Sequence, residues 1–194
     1  MNAAEELAAG IARDVAALPS AAAFLSDVPA LAATRFPPPR RLPVCDHLPR
    51  LPALASPATI SLVRALVDRA DALEWRQTYS AADFGAAFLS GYGWTEVIGL
   101  RGPIPSERLA CGFLLLGPDI EYPAHAHEAE ELYLPLAGEA LWMRGDARWV
   151  SRAVGEPILH PSWMPHATRT RDEPMLALYL WRGGDLAAKS KILR

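Results

Sequence analysis

Apolar residues recur at helical spacing twice in the first half of the chain, then switch to a strand-like rhythm in the second. Leu7, Ile11, Val15 and Leu18 fall three or four residues apart, and Ile60, Val63, Val67 and Ala70 repeat the pattern. A stripe with that period lines one side of a helix, so both segments are predicted to be amphipathic helices packed on a core. Between them lie Pro37, Pro38, Pro39, Pro43, Pro49, Pro52 and Pro57, seven of the chain's 18 prolines. Each fixes a dihedral and removes an amide donor, which predicts an extended connection wrapped over the surface. Ser80-Ala81-Ala82-Asp83 has the form of a capped helix start, and Gly91-Tyr92-Gly93 closes the short helix that follows.

From Trp94 onward the runs are short and apolar or alternating, at 109–116, 132–136, 140–143, 149–150 and 175–181. Gly117-Pro118, Ala137-Gly138 and Gly145-Asp146 stand where such strands need turns. The pattern predicts a mainly β half folded as a sandwich or barrel with helices packed outside. The expected organisation is one domain, with residues 1–93 forming a helical region with its proline-rich connection and 94–194 forming the β-barrel.

Composition narrows the function. With 194 residues, 51% of them hydrophobic and 21% charged, the chain is long enough for one well-buried core. A net charge of -3 and a pI near 5.9, with no basic cluster beyond Arg40-Arg41, argue against nucleic acid and against an anionic membrane surface as partners. Cys45 and Cys111 are far apart and form no Cys-x-x-Cys pair, so neither a disulfide framework nor a thiolate zinc site is expected. The start of the chain is acidic where a signal peptide would be basic, and no apolar run approaches the ~20 residues of a membrane span. A soluble cytoplasmic protein acting on a small molecule is the expectation.

His125, His127 and Glu131 are the candidate chemistry. Successive side chains of a strand point to opposite faces, so the odd-numbered His125, His127, Glu131 and Tyr133 share one interior while Leu132, Leu134 and Leu136 face the other way. His166 is the fourth candidate, supplied by a strand folded back beside the first. Imidazoles with a carboxylate suit zinc, iron, manganese or nickel, so the reading is one divalent metal ion on His125, His127, Glu131 and His166. Glu128 and Glu130 are expected to face solvent, and Glu130 replaces Glu131 only if a bulge reverses the strand's sides. His47, in the proline-rich segment, and His160, on the far side of the Pro161 turn, are read as surface or structural residues.

The run His125-Ala126-His127, Glu131 and Gly138 resembles the first metal motif of the cupins, and Gly155, Pro161 and His166 resemble the second. Trp163 stands where the second motif has a glycine, and Gly117 lies farther upstream of His125 than the usual glycine. Glu131-Leu132-Tyr133-Leu134-Pro135-Leu136-Ala137-Gly138, then Pro165-His166-Ala167 with Arg169-Thr170, then Leu176-Ala177-Leu178-Tyr179-Leu180-Trp181 look like the bacterial cupin-type dimethylsulfoniopropionate lyases, in particular the Q-type. The likeness in motifs runs from about Gly117 to Gly184. It implies a cupin jelly-roll barrel and a metal-dependent β-elimination that releases dimethyl sulfide and acrylate.

On that resemblance the metal binds the substrate carboxylate and a tyrosine takes the proton. Tyr133 lies on the ligand face by parity, and Tyr122 is the second candidate, as base or as a donor that holds the carboxylate. Aromatic faces suit a sulfonium cation, which points to Trp181 and Tyr179, with Trp142 and Trp163 as lesser candidates among the six tryptophans. The ion is expected to be zinc, iron or manganese, and pairing into a homodimer is open. The same donor set also serves an iron-dependent oxygenase, a sugar isomerase or a non-enzymatic ligand-binding cupin.

Overall fold

The first apolar stripe folds as helix α1 (Ala3–Val15), with Leu7, Ile11 and Val15 buried, in a computed structural model that describes residues 2–193. Asn2 and Glu5 close a capping box at its start, each side chain bonding the other's amide. The helix stops short of Leu18, which takes an extended backbone before Pro19. A single turn, α2 (Ala22–Leu25), buries Phe24. Helix α3 (Ile60–Arg69) buries Leu62, Val63 and Leu66, and leaves Ile60 and Val67 at the margin of its apolar face. The Ser80 start is also present, as a capping box with Asp83 leading helix α4 (Ala81–Ser90).

The proline-rich connection departs from expectation. Pro43–Leu54 is a run of 3-10 turns that buries Val44, Cys45, Leu48 and Leu51 in the core beneath the helices. Short turns accept a proline wherever one begins, and the apolar residues between the prolines recur three or four apart, so burial outweighs the missing donors. Pro37–Pro39 carries no regular secondary structure.

Twelve strands follow one another along the chain: β1 (Trp75–Arg76), β2 (Tyr92–Gly99), β3 (Ile104–Pro105), β4 (Leu109–Leu116), β5 (Glu121–Ala126), β6 (Glu130–Ala137), β7 (Ala140–Arg144), β8 (Val150–Arg152), β9 (Ile158–His160), β10 (His166–Thr170), β11 (Met175–Arg182) and β12 (Lys191–Ile192). One sheet runs β1-β2-β4-β11-β6-β9 with β3 beside β2, and the other runs β12-β5-β10-β7-β8. All pairings are antiparallel except β2 with β3. The two sheets face one another without a shared ladder, so the jelly roll is an open pair of sheets rather than a closed barrel. Among the described residues no helix is long and apolar enough to cross a membrane.

Strand alternation divides the interior. Leu132, Leu134 and Leu136 of β6 and Leu176, Leu178 and Leu180 of β11 turn outward and form one core with α1, α3 and the 3-10 run. Tyr133, Ala177 and Tyr179, on the opposite faces of the same strands, meet Tyr122 and Trp142 of the second sheet. The functional space therefore lies between the sheets, walled by aromatics and backed by leucines.

Gly138 makes the β6–β7 turn with φ of 75°, and a Cβ there would stand 2.0 Å from the Pro174 carbonyl oxygen. Both the backbone region and the contact penalise a side chain. Gly138→Ala is expected to lower stability by at least ~2 kcal/mol, read as an earlier urea midpoint with an unchanged slope.

Candidate metal centre and substrate cavity

Tyr122 and His125 both face the space between the sheets although they are three positions apart in a strand that should alternate. A bulge is the cause: His166 pairs with His125 and Thr168 with Tyr122, so three steps along β5 match two along β10. Pro123 sits within the bulge, where an absent N–H costs no ladder bond. Its carbonyl oxygen lies 2.8 Å from His125 Nδ1.

The other two imidazoles are held alike. His127, just past the end of β5, sets Nδ1 2.9 Å from the Ala129 carbonyl, and His166, first residue of β10, sets Nδ1 2.8 Å from that of Met164. A carbonyl only accepts, so each Nδ1 carries the hydrogen and each Nε2 is the nitrogen left for the interior. One ring nitrogen from each of the three histidines lies within 4.8 Å of the others.

Glu131 on β6 is fully buried. Its Oε1 accepts a 2.6 Å hydrogen bond from the Trp181 indole, and its Oε2 lies 3.1 Å from Nε2 of both His127 and His166. Burial alone would raise the carboxyl pKa, but hydrogen bonds and charge from His127 and His166 hold it well below the ordinary carboxylate value. Burial likewise opposes charge on His127, yet its bond to Glu131 raises its pKa. His125 is pushed well below the usual imidazole value, by burial first and then by neighbouring His166. Three inward Nε2 atoms and an ionised carboxylate fit one divalent ion of the zinc, iron or manganese kind.

The remaining sequence candidates are placed as follows. Tyr122 stacks on His125 with ring centroids 4.3 Å apart, and its hydroxyl is 3.3 Å from that of Tyr79. Tyr133 lies inward beside the cluster, its ring 6.3 Å from that of His166. Burial and then the charge of Glu131 push its phenol well above the ordinary value. Tyr179 pairs with Tyr133 across β6 and β11 and directs its hydroxyl to the Thr95 carbonyl at 3.5 Å. Trp181 stands beside the metal ligands, because it pairs with Glu131 in the ladder and packs 4.0 Å from the His127 ring. Trp142 packs behind Tyr133, whereas Trp163 is 55% exposed. Trp163 has φ of 60°, so the backbone keeps the conformation for which a glycine is suited at that motif position. Glu128 is exposed and Glu130 bonds Arg182 at 2.7 Å, which leaves Glu131 as the inward carboxylate.

His160 is a correction. Of the two readings, surface or structural, burial excludes the first: the residue is paired with Glu131 across β6 and β9 and stacked on His166 at 4.1 Å. Burial, followed by His166, pushes its pKa down to about 3. The chain between the motifs is irregular enough that periodicity does not reveal this pairing. Tyr79 and Tyr92 were also missed, since they come from outside the motifs and reach the site only through the fold.

A cavity of about 340 Å³ opens onto Glu131, walled by Tyr92, Trp94, Tyr122, Tyr133, Tyr179 and Trp181, with Arg40, Arg76, Arg101 and Lys189 also lining it. Residues 19–177 match the model of the dimethylsulfoniopropionate (DMSP) lyase family. The chain belongs to that family. Its enzyme class is therefore carbon–sulfur lyase. The DMSP lyase DddQ of Ruegeria pomeroyi is 36% identical over 145 residues, 75% of this chain and 72% of the relative. A crystal structure of DddQ from that organism has a TM-score of 0.87 at 33% identity, covering 98% of this chain and 95% of the other. A chain from the crystal structures of the DMSP lyases RdDddP and RnDddQII reaches 0.89 at 36% identity, covering 99% and 98%. A cupin-2 domain of Rhodospirillum rubrum, 14% identical with a TM-score of 0.50 over 63% of this chain and 76% of its own, shares the fold.

Two outcomes follow from the cluster. The His127 pKa is raised by its bond to Glu131 against the opposing effect of burial, so metal competes there with a proton up to higher pH than at an ordinary histidine. Zinc affinity is expected to rise with pH through and above the ordinary histidine range, and calorimetry in buffers of different ionisation enthalpy should show proton release. Trp181→Phe, which removes the indole bond to Glu131, is expected to weaken zinc binding by about 10- to 100-fold in chelator competition.

Proposed function

We propose that this chain cleaves dimethylsulfoniopropionate to dimethyl sulfide and acrylate by β-elimination, at one divalent ion held by His125, His127, Glu131 and His166. The observation that carries this reading is a cavity with aromatic walls that opens onto Glu131 of the buried ligand cluster. A substrate with a carboxylate at one end and a sulfonium at the other fits that polarity: the carboxylate goes to the cluster and the soft cation to the rings.

A divalent cation bound there supplies positive charge that offsets Glu131, draws the Tyr133 phenol back toward ionisation and stabilises negative charge on the substrate carboxylate as its neighbouring carbon loses a proton. Tyr133 takes that proton. It lies two residues from Glu131 on the same strand, whereas the Tyr122 hydroxyl is engaged with Tyr79. Tyr122 donates a hydrogen bond that orients the carboxylate. The electron pair left on the carbon forms the double bond of acrylate, the carbon–sulfur bond breaks, and its electrons leave with sulfur as neutral dimethyl sulfide. Trp181 and Tyr179 present their ring faces to the sulfonium, and the arginines and Lys189 lining the cavity favour entry of the carboxylate end. Nothing in the reaction calls for secretion, and a cytoplasmic setting suits the two free buried cysteines.

The deciding experiment is release of dimethyl sulfide and acrylate from purified protein and dimethylsulfoniopropionate, before and after chelation and with zinc, iron or manganese restored. Equal release of both products, lost on chelation and regained with metal, is expected; no release with any metal would overturn the lyase reading. Tyr133→Phe should lower turnover by at least ~100-fold with the metal retained, and His166→Ala should lose both. Retained turnover in Tyr133→Phe would move the base to Tyr122. His47→Ala should leave turnover nearly unchanged, because His47 packs against Gly117 and does not line the cavity.

A further inference from the structure

Glu96 on β2 lines the cavity and is only 6% exposed, and nothing in the reaction above uses it. We propose that Glu96 is a specificity residue for the cationic end of the substrate, supplying negative charge that faces the sulfonium; the inference rests on the lyase reading above.

Alternation along β2 puts Glu96 on the same face as Tyr92 and Trp94, and all three line the cavity. Ladder register then sets a row across the sheet: Glu96 pairs with Gly112, Gly112 with Tyr179, and Tyr179 with Tyr133. Gly112 has no side chain, so the acid and the Tyr179 ring are next neighbours in that row. The Tyr179 hydroxyl reaches toward the Thr95 carbonyl at 3.5 Å, which carries the ring toward β2. Tyr133 ends the row two residues from Glu131, where the substrate carboxylate is held. A zwitterion lying along the row with its carboxylate there points its sulfonium toward Tyr179 and Glu96.

A structural role accounts for only one oxygen of this side chain. Glu96 Oε1 accepts hydrogen bonds from the amides of Arg101 at 2.5 Å and Gly102 at 2.8 Å, which clamps the turn after β2. A glutamine carbonyl would accept the same two bonds without burying a charge. Among the described residues Oε2 accepts no hydrogen bond, and it keeps contact with open space rather than being sealed in the protein. Nor do the neighbouring cations pair with it: Arg76 pairs with Glu74, Lys189 with Asp83, and Arg101 bonds the Ala187 carbonyl. Burial raises the Glu96 carboxyl pKa, opposed by the two amides and then by the charges of Arg101 and Arg76. Glu131 and Glu96 are the carboxylates that line the cavity, and the first is committed to the ligand cluster. The second is left to act on a cation, and it need not touch one, because protein screens charge far less than water does.

The test is binding of two substrate analogues to the full-length, zinc-loaded protein, measured by calorimetry. One carries a trimethylammonium group in place of the sulfonium, and the other carries a neutral tert-butyl group of the same shape. The wild type is expected to favour the cationic analogue by about tenfold or more. Glu96→Gln keeps a carbonyl for both amides, and should cut that preference by about fivefold or more while binding the neutral analogue within about twofold of wild type. No preference in the wild type, or an unchanged one in Glu96→Gln, would overturn the proposal and leave Glu96 as a clamp on the turn. Equal loss of both analogues in Glu96→Gln would overturn it as well, since only the shape of the cavity would then have changed. No binding of either analogue by the wild type would instead remove the substrate reading beneath it. Should Glu96→Gln fail to fold, Glu96→Thr is judged by the same ratio.

Discussion

A carboxylate without contact to water is the constraint around which this molecule is arranged. Glu131 cannot be buried as an anion unless positive or hydrogen-donating groups surround it, since an uncompensated buried charge costs more than a domain of this size can spare. Its partners come from the loop after β5, from β10 and from β11, so satisfying one side chain requires the two sheets to face each other in one register. The backbone carbonyls of Pro123, Ala129 and Met164 complete the arrangement by turning three imidazoles the same way.

The strands that bear this charge are stabilised from behind. On β6 and β11 the alternate residues Leu132, Leu134, Leu136, Leu176, Leu178 and Leu180 pack toward helices and 3-10 turns, and between them stand the acid, the tyrosines and the tryptophan of the cavity. A shift of one residue would exchange the two sets and place Glu131 in an aliphatic layer. Stability and chemistry therefore select the same register, the first through apolar burial and the second through the needs of a buried anion.

Much of this was legible beforehand, for reasons that are local. The stripe of Leu7, Ile11 and Val15, the leucine alternation around Glu131, and the spacing of His125, His127 and Glu131 each express a period that one element imposes on its own residues. The proline-rich segment misled because counting prolines overlooks the apolar residues between them, which bury in short turns. His160 misled because its place depends on β9 pairing with β6, and a strand of three residues leaves little trace in the chain. The place of Trp181 was not legible either, because ladder register is what sets it against Glu131.

The sequence by itself determined the fold class, the helical stripes, the inward face of β6 and the four candidate donors, because periodicity and residue chemistry are written in neighbouring positions. Only the tertiary structure decided that a bulge at Pro123 brings Tyr122 and His125 to one face, that Glu130 turns to Arg182 while Glu131 turns inward, and that His160 and Trp181 close around the carboxylate. Those outcomes depend on which strands pair and in what register. Pairing is settled by the burial and hydrogen bonding of residues distant in the chain, which no local pattern records.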